Sequence, residues 1–185
     1  MVQLRFTRRF SMAHRLYSLR SGNCFTPHGH NEFVHVTLAQ KAGTALPASW
    51  GQANCVAPFA ELKGPWHAFV DQALDHAFQL SAADPLVDYF RQHEPDVVPR
   101  LLVVPGDPTT EAVGLALLSK LQAFLAKHTP SFECVRFELE ETPTNAVLLS
   151  PDDLHACPLD LGAWTRRADF SINDLLPPEA FGRAP

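Results

Sequence analysis

The sequence predicts an α+β fold, because stretches of alternating apolar and polar residues at both ends of the chain enclose two stretches with helical spacing. The predicted order is therefore strand, strand, helix, helix, strand, strand. A chain of 185 residues with 46% hydrophobic content is long enough to bury one full core. We expect a single principal domain.

Two neighbouring strands are predicted near the N-terminus. The apolar face of the first consists of even-numbered residues and ends at a histidine: Val2, Leu4, Phe6, Phe10, Met12 and His14. The second strand runs from about Asn31 to Ala39, with Val34, Val36 and Leu38 on one face. Residues 41–58 lack a firm period and are rich in Gly, Ala and Pro, which is typical of a loop.

Two helices and a short strand are predicted in the middle of the chain. Pro65 is expected to begin the first helix, whose apolar residues recur at helical spacing: Trp66, Phe69, Val70, Ala73, Leu74 and Ala77. The polar, proline-containing stretch 84–99 is typical of a surface insertion, and the run 101–104 of a buried strand. Thr109 or Thr110 can cap the second helix, with Glu111 in its first turn.

A third strand is predicted where Val135, Phe137 and Leu139 alternate with charged residues, and a fourth at 146–149. Glu141 is the next alternate residue after Leu139 and so lies on the same face as the apolar residues of the third strand. A carboxylate there costs several kcal/mol if it is buried and unpaired, so it is expected to face a partner or a pocket. The alternative is that the strand has reached solvent by Glu141.

Three histidines and a cysteine lie within about twenty residues. His28 and His30 leave the same face of an extended chain, and a turn at 21–23 can bring His14 back against them. Three imidazoles suit zinc and leave one coordination position open. Cys24 is a fourth ligand, a buried apolar residue or a thiolate that moves protons. The alternative for the histidines is a solvated loop.

Composition limits the class of protein. A net charge of −5 argues against a general nucleic-acid binder. The four cysteines are too widely spread for a disulfide framework, so a reducing, cytoplasmic setting is expected. Neither a signal peptide nor a membrane span is predicted.

Six motifs resemble, in the same order, those of the 6-pyruvoyl- and 6-carboxy-tetrahydropterin synthase family: FSMAHRL, CFTPHGHN, FAELK, LDH, PTTE and EET. The resemblance covers residues 1–150. It implies the tunnelling fold, in which a four-stranded antiparallel sheet carries two helices on one face and subunits join into barrels. The implied assembly is a homo-oligomer, usually a hexamer of two trimers. Residues 151–185 would be a C-terminal extension packed on the domain or on a subunit interface.

The resemblance also implies roles for individual residues. The zinc ligands would be His14, His28 and His30. The proton-relay residues would be Cys24, Asp75 and His76, with the Asp–His pair serving a site whose cysteine and zinc belong to a neighbouring chain. The pterin would be anchored by Glu141 with Thr142 beside it, in a pocket also lined by Thr109, Thr110 and Glu111. On residue pattern alone, Asp75 and His76 are an exposed polar pair at a helix end that need not touch each other.

The implied function is that of a zinc-dependent lyase acting on 7,8-dihydroneopterin triphosphate. The expected product is 6-carboxy-5,6,7,8-tetrahydropterin, made for queuosine-type deazapurine synthesis. Alternatives are a 6-pyruvoyl-tetrahydropterin synthase, a side-chain aldolase, or a non-catalytic pterin-binding protein in which Cys24 closes a structural zinc site. The chain departs from the family at Pro58–Phe59, at 78–80 and in the long link from His76 to Thr109.

Overall fold

The computed structural model describes residues 2–20, 22–47 and 50–182. Its six strands are β1 (Gln3–His14), β2 (His28–Gln40), β3 (Ala77–Ser81), β4 (Leu101–Val104), β5 (Phe132–Thr142) and β6 (Asn145–Leu149). The α-helices are α1 (Phe59–Phe69), α2 (Pro85–His93), α3 (Thr110–His128) and α4 (Pro151–Ala156). Among these described helices, none has both the length and the apolar character needed to cross a bilayer.

The strands form one mixed sheet in the order β4-β3-β1-β2-β5-β6. The expected antiparallel set is present, because β1 pairs with β2, β2 with β5 and β5 with β6. The β1–β2 register runs from Gln3 opposite Ala39 to His14 opposite His28. This register brings the predicted metal ligands to the same end of the sheet.

The expectation of four strands is wrong, because β3 and β4 extend the sheet in parallel beyond β1. The stretch expected to be a surface insertion is a crossover in which α2 links these two strands, and Val87 and Val98 in it are buried. Leu102 faces the main core, whereas Leu101 packs against α2. A strand covered on both faces shows an unbroken apolar run, without alternation.

Helices α1 and α3 pack against one face of the sheet, where Phe69 and Phe124 lie in the core. The prediction that the first helix begins at Pro65 is wrong. It begins at Phe59, and Pro65 lies inside it. Burial of Leu62 explains the earlier start, because its side chain anchors the first turn in the core. Ala77, assigned to that helix from its spacing, belongs to β3.

A β-bulge corrects the predicted parity of β5. Thr37 of β2 lies opposite Arg136, but the next residue, Leu38, lies opposite Cys134, so Val135 is an extra residue. Cys134 is therefore buried in the position expected of Val135. Beyond the bulge the predicted alternation holds, and it carries Glu141 to the end of the core-facing row.

The chain after α4 has little regular structure but covers the edge of β4. Val103 donates its backbone N–H to the carbonyl of Ile172 at 3.1 Å and accepts from the Trp164 indole at 3.2 Å. The Asn173 amide donates to the Leu101 carbonyl at 2.7 Å. These bonds satisfy backbone groups that an edge strand would otherwise leave open. Trp164 and Ile172 are also part of the main core.

Candidate active site

Three imidazoles converge at the end of the β1–β2 pair. One ring nitrogen from each of His14, His28 and His30 lies within 4.8 Å of the other two. The Nε2 atoms of His14 and His28 are 3.1 Å apart. Their Nδ1 atoms instead face the carbonyl oxygens of Pro108, at 3.3 Å, and Thr26, at 2.9 Å. A histidine whose second nitrogen contacts a carbonyl is oriented to bind a cation through the first, so this donor set fits zinc.

His14 is the buried member of the cluster. Burial, together with the neighbouring His28, lowers the pKa of His14 below its usual value. The imidazole is therefore neutral near pH 7, which is the form that binds metal ions. The expected grouping of the three histidines is confirmed, and the identity of the metal stays a prediction.

Gly29 lets the two strands approach each other between the ligands. A Cβ atom at this position would lie 2.5 Å from the backbone oxygen of Met12 on the neighbouring strand. This backbone oxygen cannot move aside as the end of a flexible side chain could. Only glycine fits between His28 and His30 without separating β1 from β2.

Glu141 lies beside the histidines. Its Oε1 is 3.9 Å from His14 Nε2. The carboxylate also lines a cavity of about 330 Å³, together with Thr110, Glu111 and the β5–β6 turn. Thr109 caps α3 by accepting from the Ala112 N–H. Glu141 thus lies beside the histidine cluster and in the wall of this polar cavity.

Thr142 lies next to Glu141 at the end of β5. Its hydroxyl is 3.3 Å from that of Thr144, within the turn that leads to β6. This turn contributes to the rim of the cavity.

Asp75 and His76 lie shortly after α1. A π-helical turn at Val70–Leu74 extends the helix, and Asp75 donates its N–H to the Val70 carbonyl. Ser11 of β1 then holds both residues: it donates its N–H to Asp75 Oδ1 at 2.8 Å and accepts from the His76 N–H at 2.7 Å. The bond from Ser11, followed by the contact with His76, lowers the pKa of Asp75.

The two side chains contact each other, since Asp75 Oδ2 lies 3.0 Å from His76 Nδ1. The helical geometry that would separate them does not apply, because His76 has left the helix with a φ of 64°. A positive φ at a residue other than glycine is strained. The His76 side chain is 78% exposed and faces outward.

Cys24 lies in a short 3₁₀ turn, Asn23–Phe25, and is exposed. Its carbonyl accepts a hydrogen bond from the Leu16 N–H at 2.8 Å. Within the described ranges, the group of residues able to hold a metal contains the three histidines and does not include Cys24.

Glu32 is a buried residue of this region that the sequence reasoning missed. Only 1% of it is exposed, and its Oε2 has no hydrogen-bond partner within the described structure. Burial and the nearby charge of Glu141 raise the pKa of Glu32 to about 8, while Gln79 hydrogen-bonds to the carboxyl group. The sequence alone could have indicated it, because Glu32 lies on the same face of the strand as His28 and His30.

A family model described as 6-pyruvoyl tetrahydropterin synthase matches residues 3–152 of the chain. The chain therefore belongs to the 6-pyruvoyl tetrahydropterin synthase family. This membership confirms the resemblance carried by the six sequence motifs. The matched residues include the histidine cluster, Asp75–His76 and Glu141.

Individual proteins resemble the chain in sequence or in fold. A protein named probable 6-carboxy-5,6,7,8-tetrahydropterin synthase from Halobacterium salinarum is 33% identical over 136 residues, which are 73% of this chain and 77% of that protein. An uncharacterized Wolinella succinogenes protein, WS1659, superposes with a TM-score of 0.61 at 21% identity, over 81% of this chain and 98% of its own. Caenorhabditis elegans 6-pyruvoyl tetrahydropterin synthase superposes with a TM-score of 0.53 at 22% identity, over 80% of this chain and 94% of its own. The two structures show that the α+β fold is shared.

Proposed function

We propose that this protein is a zinc-dependent lyase that converts 7,8-dihydroneopterin triphosphate to 6-carboxy-5,6,7,8-tetrahydropterin, for queuosine-type deazapurine synthesis. The observation that carries the proposal is the contact between the histidine cluster and Glu141, 3.9 Å from His14. A cation bound by the histidines would lie beside a carboxylate that lines a polar cavity. The name of the Halobacterium salinarum relative supports the carboxy-pterin product.

The proposed zinc ligands are His14, His28 and His30. Zinc bound there would supply a Lewis acid that increases the acidity of groups on the pterin side chain. The carbonyls of Pro108 and Thr26 hold two of the imidazoles in the orientation that this requires.

Cys24, Asp75 and His76 are the proposed proton-transfer residues. Because the bond from Ser11 lowers the pKa of Asp75, the carboxylate stays ionised and can orient the His76 imidazole. The exposed His76 would serve the site of a second copy, whose Cys24 would exchange a proton at carbon. The protein would then act as a homo-oligomer, with a hexamer of two trimers as the expected form.

Glu141 is the proposed anchor for the pterin. An ionised carboxylate can accept two parallel hydrogen bonds, which suits a ring N–H with an adjacent amino group. Thr142 lies beside it, and the cavity wall would be completed by Thr109, Thr110 and Glu111.

The deciding experiment is incubation of the zinc-loaded protein with 7,8-dihydroneopterin triphosphate, followed by identification of the product by mass spectrometry. The expected product is 6-carboxy-5,6,7,8-tetrahydropterin. A 6-pyruvoyl product or an aldolase product would contradict the proposed reaction and would show that the protein catalyses a different reaction of the same substrate. Absence of turnover would leave a pterin-binding protein.

A Cys24→Ala variant separates the enzyme from the binding protein. It is expected to retain zinc and to lose turnover, because the thiol moves protons and is not needed to hold the metal. Zinc is measured by atomic emission. Cys55→Ala is the matched control, since Cys55 is also an exposed free cysteine. Loss of zinc in Cys24→Ala would instead show that Cys24 closes a structural site.

A further inference from the structure

The loop that carries Cys24 is bound at two points to the segment 82–107, which links β3 to α3. Arg15 Nε donates to Asp84 Oδ2 at 2.6 Å, and Arg15 Nη2 donates to Asp84 Oδ1. Further along the loop, the Ser18 N–H donates to Asp107 Oδ1 at 3.0 Å, and its hydroxyl donates to Oδ2. Both acceptors belong to segment 82–107, and both donors belong to the loop.

The Arg15–Asp84 pair is shielded from solvent. The side chain of Arg15 is 15% exposed and that of Asp84 is 0% exposed. Asp84 also accepts the Leu86 N–H at 2.8 Å and so caps α2. A bidentate pair with one partner fully desolvated fixes the plane of the guanidinium group. The position of Arg15 is therefore determined by the crossover segment.

Arg15 in turn contacts the residues around Cys24. Its guanidinium carbon lies 5.3 Å from the centre of the Tyr17 ring and 5.7 Å from that of Phe25, and these two rings stack. Phe25 is the residue after Cys24. On the other side, the Leu16 N–H donates to the Cys24 carbonyl at 2.8 Å. The turn is thus held at the Cys24 carbonyl and at the Phe25 ring.

The same segment also reaches the Asp–His pair. Arg100 donates to the carbonyl of Gln72 at 2.6 Å and to the carbonyl of Asp75. Segment 82–107 therefore contacts the loop that carries Cys24, through Asp84 and Asp107, and the backbone of Asp75, through Arg100.

We propose that Arg15 and Asp84 are positioning residues for Cys24: the crossover segment holds the cysteine turn in place through this buried ion pair. The proposal rests on the proposed function in one respect, since the role of Cys24 in turnover is part of that function. The pair acts through the turn and has no need to touch substrate.

The primary test is Asp84→Asn. Asparagine keeps an oxygen for the Leu86 N–H, so α2 retains its cap, but the ion pair with Arg15 is lost. We expect kcat for 7,8-dihydroneopterin triphosphate to fall roughly 10²-fold, because small displacements of a reacting group have effects of that size. KM and zinc content are expected to stay unchanged. Amide hydrogen exchange is expected to increase in the peptides covering 15–25.

Asp174→Asn is the matched control. Asp174 also accepts from an arginine, Arg167 at 2.9 Å, and from a backbone N–H, that of Trp164 at 3.2 Å. It lies in the C-terminal tail, so its loss should leave kcat and the exchange of peptides 15–25 at parent values. Arg15→Lys keeps the charge but makes one bond where arginine makes two, and its kcat should lie between those of the parent and Asp84→Asn.

The proposal would be overturned if Asp84→Asn had the same kcat as the parent protein, or if amide hydrogen exchange in the peptides covering 15–25 did not change. If Asp84→Asn fails to fold, Arg15→Lys is judged by the same two measurements, since it leaves Asp84 paired. A parent protein that shows no turnover overturns the proposed function instead. In that case the exchange data alone still decide whether Asp84 holds the loop.

Discussion

Gly29 shows how one residue determines the geometry of the histidine cluster. It separates two of the histidines, and its hydrogen atom occupies space that a methyl group would share with the Met12 backbone. The narrow approach of β1 to β2 is what brings His14 against His28, with 3.1 Å between their Nε2 atoms. The geometry of the ligand set therefore depends on a residue that itself binds nothing.

Gly29→Ala is expected to lower zinc content well below one ion per chain and to destabilise the fold, because β2 must move away from β1 at the ligands. Zinc is measured by atomic emission and stability by urea unfolding. Gly64→Ala is the control: a Cβ there meets nothing within 4 Å, and alanine favours a helix by about 1 kcal/mol. An unaltered zinc content in Gly29→Ala would contradict the prediction.

At the scale of elements, α3 holds the C-terminal tail through a buried lysine. Lys120 Nζ donates to the Trp164 carbonyl at 2.9 Å and to Asp169 at 3.1 Å. Its side chain is 0% exposed and lies against the rings of Phe69 and Phe124. Burial lowers the pKa of Lys120 to about 8, even though Asp169 acts in the opposite direction.

This pKa predicts a pH dependence of stability. Between pH 8 and 10.5, the unfolded lysine keeps a proton that the folded lysine has lost. The contribution of Lys120 to the free energy of unfolding should therefore rise with pH across this window, by up to about 1.4 kcal/mol per pH unit, and be constant below it. We expect the parent to gain stability relative to Lys120→Met from pH 8 to 10, measured by urea unfolding.

The exposed Lys127 provides the control for this measurement. Lys127→Met should keep a constant difference from the parent over the same pH range, because the Lys127 side chain is not buried on folding. Equal pH profiles for the parent and Lys120→Met would show that Lys120 does not titrate in this window.

At the scale of the whole molecule, the positions of the catalytic candidates favour a site shared between copies of the chain. His76 is 78% exposed, and the Asp–His pair is held at the edge of β1 where β3 joins the sheet. From Gln3 to Ser11, β1 has no strand partner on the side away from β2 within the described residues. Unpaired strand edges are surfaces on which another chain can pair.

A mixing experiment tests the shared site. Cys24→Ala and His76→Ala chains should each be inactive, because each lacks one proton-transfer group. After unfolding and refolding together in equal amounts, about a quarter of the parent activity should return, since random assembly joins one intact cysteine with one intact histidine in one site of four. Mixtures that stay inactive would place both groups in the same subunit, and each variant refolded alone is the control.

Much of the site could be predicted from local sequence. The spacing of His28 and His30 placed both on one strand face, and the parity of β5 brought Glu141 into the same row. Both inferences depend on the two-residue period of a strand, which a sequence displays directly. Membership of the family, which its motifs indicated, is confirmed.

Local patterns were less reliable where distant segments pack together. The run 101–104 was correctly predicted as a buried strand, β4. The start of β3 was assigned to the first helix, because Ala77 fits the helical spacing of the apolar residues before it. The bulge at Val135 was equally hidden, since its extra residue is defined only by the partner strand. Glu32 was overlooked although its parity is that of His28 and His30, and its partner Gln79 lies on β3, which the sequence did not place beside β1.

The sequence by itself determined which residues can form the histidine cluster, because their spacing sets the face from which each side chain leaves the backbone. The tertiary structure decided what holds that cluster and its cysteine in place. Arg15 meets Asp84 across 69 positions of chain, and Asp75 meets Ser11 across 64. Contacts at such separations follow from sheet order and packing, and no local period encodes them.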